Sequence, residues 1–417
     1  MPQRAVGALW RGRAVNAAVA TGTGDHYCEA TARLQLGAGF FRADSRPARD
    51  LGVLLLADRA DALGPEAPVA VLDAMAGCGI RALRYGLEVL APRPGITGLW
   101  VNDADPDRLP LLEANLGPLA QSSVALHPSA HTVQQLLARC LIERQRFDLL
   151  DLDAFGSPAA LLPLALEALK VGGVLYVAST DGRSPTGHDR AAALRQFGAA
   201  ARAHPASWEL ALRLQLGLIA RTAWAQGRGI EPLLSFSEGR TFRSAVRLCK
   251  RPGSEPLGQL GLLAHCHRCG DQQVQALLQL RQWQPCLCQG PAPLAISGPL
   301  WIGPLQHPVS LARLQQRGRQ SGWGAGDSLA PQSLGLLDRL ADDPGELPRC
   351  WPASSIGRHL GGGPPPLAAL CRALQQAGYR AQASGVMAAQ LRSDASWEQI
   401  LATARQLQAR TAGETAK

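Results

Sequence analysis

Residues 69–89 read VAVLDAMAGCGIRALRYGLEV, and this stretch decides the fold. VAVLDAM (69–75) reads as a strand buried on both faces whose end runs into a turn, and a helix follows from Ile80. Between them lies Asp73-Ala-Met-Ala-Gly77-Cys-Gly79, a turn whose glycines permit a tight bend and close approach of the backbone to a ligand. The alternation continues downstream. GLWVND (98–103), SVALHP (123–128), FDLLDLD (147–153) and GGVLYVAST (172–180) read as buried strands, with helices over 80–90, 106–116, 130–142 and 158–170. Asp105 before Pro106 and Ser157 before Pro158 are helix-start signals. Such βαβ alternation predicts the α/β class, a mostly parallel sheet covered by helices on both faces. A long helix over 206–226 follows, and IEPLLSFS and TFRSAVRL, joined around Glu238-Gly239, read as a closing antiparallel hairpin.

The chain's 417 residues exceed what one hydrophobic core usually serves, so two domains are expected. Their boundaries are 1–250, with an N-terminal extension before the first strand, and 251–417, a smaller α+β domain entered through RPGSEPLGQLG (251–261). Gly and Pro together make 74 residues, too few for a disordered or fibrous chain. The longest uncharged stretch, Gln282 to Ala312, contains six prolines and cannot form a spanning helix. No membrane segment or targeting segment is visible, so a cytoplasmic location is expected. The net charge of +9 is uneven: between Arg240 and Arg319 ten basic residues meet only Glu255 and Asp271. A phosphate backbone is the commonest reason for such a block, and an inert basic face is the alternative.

Open α/β sheets bind ligands at the carboxyl ends of their strands. There the first strand offers the glycine turn, and Asp103 ends the next strand, about where an acid accepting ribose hydroxyls should stand. Together they read as an adenosine site. No G-x-x-x-x-G-K-[ST] occurs and the spacing is not G-x-G-x-x-G, which disfavours a P-loop and a dinucleotide pyrophosphate. The form D-x-x-x-G-x-G suits S-adenosylmethionine. The fourth strand breaks into Asp153-Ala154-Phe155-Gly156. An aromatic amine is a poor nucleophile because its lone pair is conjugated with the ring. A carboxylate accepting a hydrogen bond from the N–H orients that nitrogen toward a methyl sulfonium and takes up the proton. Phe155 is placed to stack on an unstacked base. The alternative is that Asp153 only caps the next helix and Phe155 is core.

Of the ten cysteines, Cys266, Cys269, Cys286 and Cys288 are clustered. Cys266-His-Arg-Cys269 is half of a zinc knuckle, and Cys286-Leu-Cys288 supplies a C-x-C in place of a second C-x-x-C. Four thiolates suit a structural zinc, with His265 and His267 as substitutes, or they are four unligated thiols.

FFRADSRPARDL (40–51), LDAMAGCGIRALRYGLEV (72–89), VNDADPD (101–107), DLDAFGSP (151–158), STD (179–181), RGIEPLLSFS (228–237) and GPLWIGPL (298–305) resemble the tRNA guanine-26 N2-dimethyltransferases. The resemblance implies a class I methyltransferase fold with a seven-stranded, Rossmann-like sheet. It implies that Arg49, Arg81 and Asp103 hold S-adenosylmethionine beside the turn residues Asp73, Gly77 and Gly79 already read as its binding turn, with Ser129 and Ala130 lining the adenine. It further implies that Asp153 is the catalytic carboxylate, that Phe155 stacks on the base, and that the C-terminal domain helps to hold tRNA. Arg49 and Arg81 have a plainer reading as surface arginines balancing Asp50 and Glu88. Three departures stand out: Ala154 replaces the family's proline, R-A-D-S-R-P-A replaces its Asn-Pro…Gln and Asn, and Ser384-Gly385 replaces a Thr-His pair. The activity implied is methylation of guanine N2 in tRNA by a monomer without protein partners. An adenine-N6 nucleic-acid methyltransferase and a non-catalytic RNA-binding protein on the same fold are the competing readings.

Overall fold

The computed structural model describes residues 26–286, 288, 294–320 and 329–415; the extension expected over 1–25 lies outside them. A small antiparallel hairpin, β1 (His26–Glu29) and β2 (Ala32–Gln35), leads into α1 (Arg46–Leu63). The alternation then runs β3 (Val69–Asp73), α2 (Ile80–Tyr85), β4 (Thr97–Asn102), α3 (Leu109–Leu116), β5 (Val124–Ser129), α4 (Val133–Ile142), β6 (Phe147–Ala154), α5 (Leu162–Glu167) and β7 (Leu169–Ser179). Helices α6 (Arg190–Phe197) and α7 (Ser207–Ala225) precede β8 (Gly229–Glu238) and β9 (Thr241–Cys249).

These strands form one seven-stranded sheet in the order β5-β4-β3-β6-β7-β9-β8. Strands β3 to β7 are mutually parallel and β9 is antiparallel to both its neighbours. All five residues of β3 are buried, as expected for a central strand covered on both faces. Residues of α1, α2 and α3 cover one face, and those of α4, α5 and α7 the other. The chain runs outward from β3 to β5 and then returns to β6 on the other side of β3. That reversal opens a crevice at the carboxyl ends of β3 and β6, where ligands bind in such sheets.

Four expected helices differ in detail. The one over 80–90 is α-helical to Tyr85 and goes on as a wider π turn over Gly86–Leu90, and the one over 106–116 opens with a 3-10 turn over Pro106–Arg108, capped by Asp105, before α3 begins at Leu109. Ser157 does not cap a helix: its Oγ accepts only from Ala159 N at 3.3 Å, and residues 158–161 form a turn. Helix α5 starts at Leu162, with Pro163 in the first turn where proline fits best, and Leu169 and Lys170 belong to β7. Helix α4 starts at Val133 because Thr132 and Gln135 form a reciprocal capping box.

The second half comprises α8 (Ser254–Leu257), β10 (Leu260–His265), β11 (Gln272–Ala276), β12 (Ala295–Trp301), α9 (Pro308–Gln320) and α10 (Pro331–Asp342). It closes with β13 (Cys350–Pro352), α11 (Ala353–Leu360), α12 (Leu367–Gln376), β14 (Ala381–Ala383), β15 (Gln390–Ser393) and α13 (Trp397–Thr415). Three-stranded sheets β11-β10-β12 and β13-β15-β14 organise it. It is bolted to the first half. Leu311, Leu314, Leu336 and Leu337 share a core with α1. Asp50 of α1 accepts from Ala330 N at 3.2 Å and Ser333 Oγ at 2.6 Å. Arg392 of β15, fully buried, grips Glu209 of α7 at 2.5 and 2.7 Å and Asp343 at 2.7 and 2.9 Å.

Candidate active site

A cavity of about 830 Å³ opens at the crevice, lined by the turn after β3, the ends of β4 and β6, and Thr132 and Val133 at the start of α4. Gly77 has a positive φ of 58°, and a Cβ added there would meet nothing within 4 Å, so its backbone faces open space where a ligand fits. Gly77 N donates to Asp103 Oδ2 at 2.9 Å, and Asp103 Oδ1 accepts from Asp105 N at 3.0 Å. Asp103 is thereby fixed at the cavity wall with lone pairs to spare for hydroxyl groups. Gly79, at φ 81°, is the left-handed residue that starts α2, with Leu112 packed against it. The residues fit an adenosine-containing ligand.

The structure disperses other expected contacts. Asp73 does not line the cavity; its side chain turns back, accepts from Ala82 N at 3.2 Å and is buried beneath the turn. Burial and the neighbouring Asp151 push its carboxyl upward. Ser129 and Ala130 also stand outside the lining. Ser129 Oγ donates instead to Asn102 Oδ1 at 2.8 Å, and Asn102 Nδ2 reaches Ala74 O and His131 O at 3.1 and 2.9 Å. Buried Asn102 thus ties together the loops after β3, β4 and β5.

Neither Arg49 nor Arg81 is a surface arginine; both are buried. Arg49 reaches the cavity wall, but its Nη2 and Nε are 2.5 and 2.8 Å from Glu29. Glu29 also receives Arg84 at 2.8 Å. Burial would raise the Glu29 carboxyl, but Arg49 and Arg84 hold it down to about 2. It is Arg84, not Arg81, that pairs with Asp50 and Glu88.

Arg81 points to the end of β6, with Nη2 2.9 Å from Asp153 Oδ2 and Nη1 3.3 Å from Asp151 Oδ2. Asp153 is not a helix cap. Its side chain is 30% exposed, toward the cavity it lines, and both its oxygens lie 3.2 Å from Arg243 Nη2. Burial pushes the Asp153 carboxyl upward, yet Arg243 and Arg81 outweigh it and hold it well below the usual carboxylate range. The turn after it is pinned: Gly156 N donates to Thr180 Oγ1 at 2.7 Å, and Gly156 O accepts from Ser179 Oγ and Thr180 N, both at 3.0 Å. These bonds hold the segment in place although Ala154 stands where a proline would stiffen it.

Phe155 is not core: it is 76% exposed at the cavity mouth. Phe40, 71% exposed, meets it edge-on with ring centroids 5.7 Å apart. Sequence reasoning gave Phe40 and Arg243 no role. The one available signal was an arginine inside the buried strand β9, which requires an acidic partner.

Away from the cavity, the thiols of Cys266, Cys269, Cys286 and Cys288 lie within 4.8 Å of one another. Cys266 Sγ is 3.6 Å from Cys286 Sγ and 3.7 Å from Cys288 Sγ. Four sulfurs placed about 2.3 Å from a zinc at their centre have tetrahedral edges of about 3.8 Å, so the set fits that ion despite the C-x-C spacing. Gly270, at φ 85°, and its N–H to Cys266 O at 2.8 Å close the knuckle. His265 is not needed; it stacks on His204, ring centroids 5.2 Å apart.

This strand order, with a glycine turn after β3 and an acid closing β4, defines a class I methyltransferase of the S-adenosylmethionine-dependent type. A family model for N2,N2-dimethylguanosine tRNA methyltransferase matches residues 35–405. The chain belongs to that family. It is 30% identical over 371 residues to the tRNA (guanine(26)-N(2))-dimethyltransferase of Methanosphaerula palustris, covering 87% of this chain and 90% of the relative. It is 29% identical to the enzyme of the same description from Pyrococcus horikoshii, over 86% of this chain and 90% of the relative. A solved structure of Trm1 from Pyrococcus horikoshii with S-adenosyl-L-methionine superposes with a TM-score of 0.76 and 26% identity, covering 91% of this chain and 99% of that one.

Proposed function

We propose that this chain transfers methyl groups from S-adenosylmethionine to the exocyclic N2 of a guanine in tRNA, at position 26, to give N2,N2-dimethylguanosine. The observation that carries this reading is the juxtaposition of three groups on one cavity. They are the Gly77–Asp103 turn, the Asp153 carboxylate, and the exposed pair Phe40 and Phe155. S-adenosylmethionine, when bound, supplies an electrophilic methyl group. Gly77 and Asp103 hold the adenosine part, with Arg49 and Arg81 at the cavity wall. A base that leaves its own stack gains a new one on Phe155 and Phe40. The Asp153 carboxylate accepts a hydrogen bond from the amino group, turning the nitrogen lone pair toward the methyl group and taking the proton as the bond forms.

Unmodified tRNA transcripts incubated with labelled methyl donor, followed by nucleoside mass spectrometry, test the reading. Label is expected on guanosine as the N2-methyl and N2,N2-dimethyl products. Label on adenosine, or none on guanosine, refutes it. Asp153→Asn is expected to lower kcat by roughly 10³-fold while leaving affinity for the methyl donor unchanged.

A further inference from the structure

Arg243 enters the site from β9 and is 3% exposed. Its Nη2 is 3.2 Å from each oxygen of Asp153, and its Nε is 3.4 Å from Glu238 Oε2. The guanidinium lies 5.8 Å from the ring centroid of Tyr176. Nη1 is buried with no partner among the described residues, so the cost of desolvating this cation is offset mainly through Asp153. Asp153 therefore faces two guanidinium groups, Arg81 from α2 and Arg243 from β9. Behind these stand Asp151 on its own strand, Asp73 on β3, Tyr176 on β7 and Glu238 at the end of β8. An acid meant to store a proton would sit among apolar groups or other acids; this one is held between cations.

We propose that Arg243 is a positioning residue of the methyl transfer: with Arg81 it fixes the orientation of the Asp153 carboxylate and keeps it anionic as a standing hydrogen-bond acceptor through successive transfers. The inference rests on the guanine-methylation reading above. In each transfer the nitrogen lone pair forms the N–CH₃ bond, the C–S bond breaks with its electron pair going to sulfur, and the cationic nitrogen releases one N–H proton. The exocyclic nitrogen of guanine is conjugated with an electron-poor ring, so its alkylated ammonium is far more acidic than a carboxylic acid, and a weakly basic carboxylate is strong enough to accept that proton. The same weak basicity passes it on to water, and Asp153 is again an anion when the monomethylated amine presents its remaining N–H.

The test compares wild type, Arg243→Lys and Arg243→Gln in methyl transfer to a tRNA transcript between pH 5 and 8, with direct measurement of donor binding. For Arg243→Gln, kcat is expected to fall about 100-fold, with donor affinity within about twofold of wild type. Burial, then opposed by Arg81 alone, raises the Asp153 carboxyl and gives the variant an acidic limb that wild type lacks. Arg243→Lys, which keeps the charge but not the fork, is expected to recover about tenfold of that loss with a flat profile. Wild-type kcat in either variant, a loss confined to donor binding, or an Arg243→Gln profile without an acidic limb overturns the inference. If Arg243→Gln does not fold, Arg243→Lys decides alone: an unchanged kcat overturns it, and a tenfold lower kcat with unchanged donor affinity supports it. Wild type inactive on guanosine refutes the parent reading instead.

Discussion

Phe155 and Phe40 leave most of their ring surface in water at the mouth of a cavity, a state that a planar base would relieve. Base–aromatic stacking contributes about 1–3 kcal/mol per base. Phe155→Ala is therefore expected to lower kcat/KM for tRNA by roughly 5- to 150-fold and to leave donor binding unchanged, as steady-state kinetics with titrated transcript can show. The rings touch each other, so the double variant with Phe40→Ala should lose less than the sum of the single effects. At this scale the sequence was informative where chemistry sits at a strand end. Asp103, Asp153, Phe155 and Gly77 all line the cavity. Asp73 was misplaced because an acid ending a strand has two options, to face the crevice or to turn back onto the next helix, and periodicity does not separate them. Arg243 showed only as an arginine inside a buried strand, and its partner was illegible because Asp153 lies 90 residues away along the chain.

Among elements, the knuckle joins two pieces that the backbone alone leaves loosely connected. Cys266 and Cys269 flank the turn from β10 to β11, while Cys286 and Cys288 stand on the connection toward β12. Metal analysis of the purified chain is expected to give about one zinc per molecule. Chelation or Cys266→Ser is expected to lower Tm in calorimetry while donor binding persists, because no cysteine of this set lines the cavity. Zinc well below stoichiometry would show four free thiols instead. The C-x-C spacing departs from the familiar pattern and could not decide this; the distances between sulfurs speak directly to the ion's size. The strands of the main sheet, by contrast, were readable to within two residues except at the start of β7, which begins three residues before the expected Gly172, since apolar runs bounded by turns leave little freedom.

Over the whole molecule, the basic block between Arg240 and Arg319 changes meaning. Arg243, Arg247, Arg313, Arg317 and Arg319 pair with Asp153, Glu231, Asp58, Asp61 and Asp338, acids that lie outside that block of sequence. Net charge along a stretch of sequence is thus no measure of charge on a face. Arg240, Lys250, Arg251, Arg268 and Arg281 make no ion pair among the described residues and are the part of the block free to meet phosphate. The two halves also share more than a linker. Arg392→Met would leave Asp343 buried without its cation and Glu209 with Arg213 as its one remaining cation, and an expected loss of about 3–5 kcal/mol should appear in denaturant unfolding. Unfolding in one transition, with both halves lost together, is the further expectation, and two separate transitions would refute it.

The strand order carries one more consequence, about time. Strand β8 reaches the sheet only through β9, which is made after it and lies between it and β7. During synthesis at about 5–20 residues per second, the donor turn and Asp153 leave the ribosome many seconds before Arg243 does. A nascent chain that ends at Gly239 holds the donor turn, Asp103, Asp153 and Phe155 but lacks Arg240, Thr241 and Arg243 of the crevice wall, and its edge strand has nothing to dock against. The centre of the sheet comes first; the enzyme is finished from its edge.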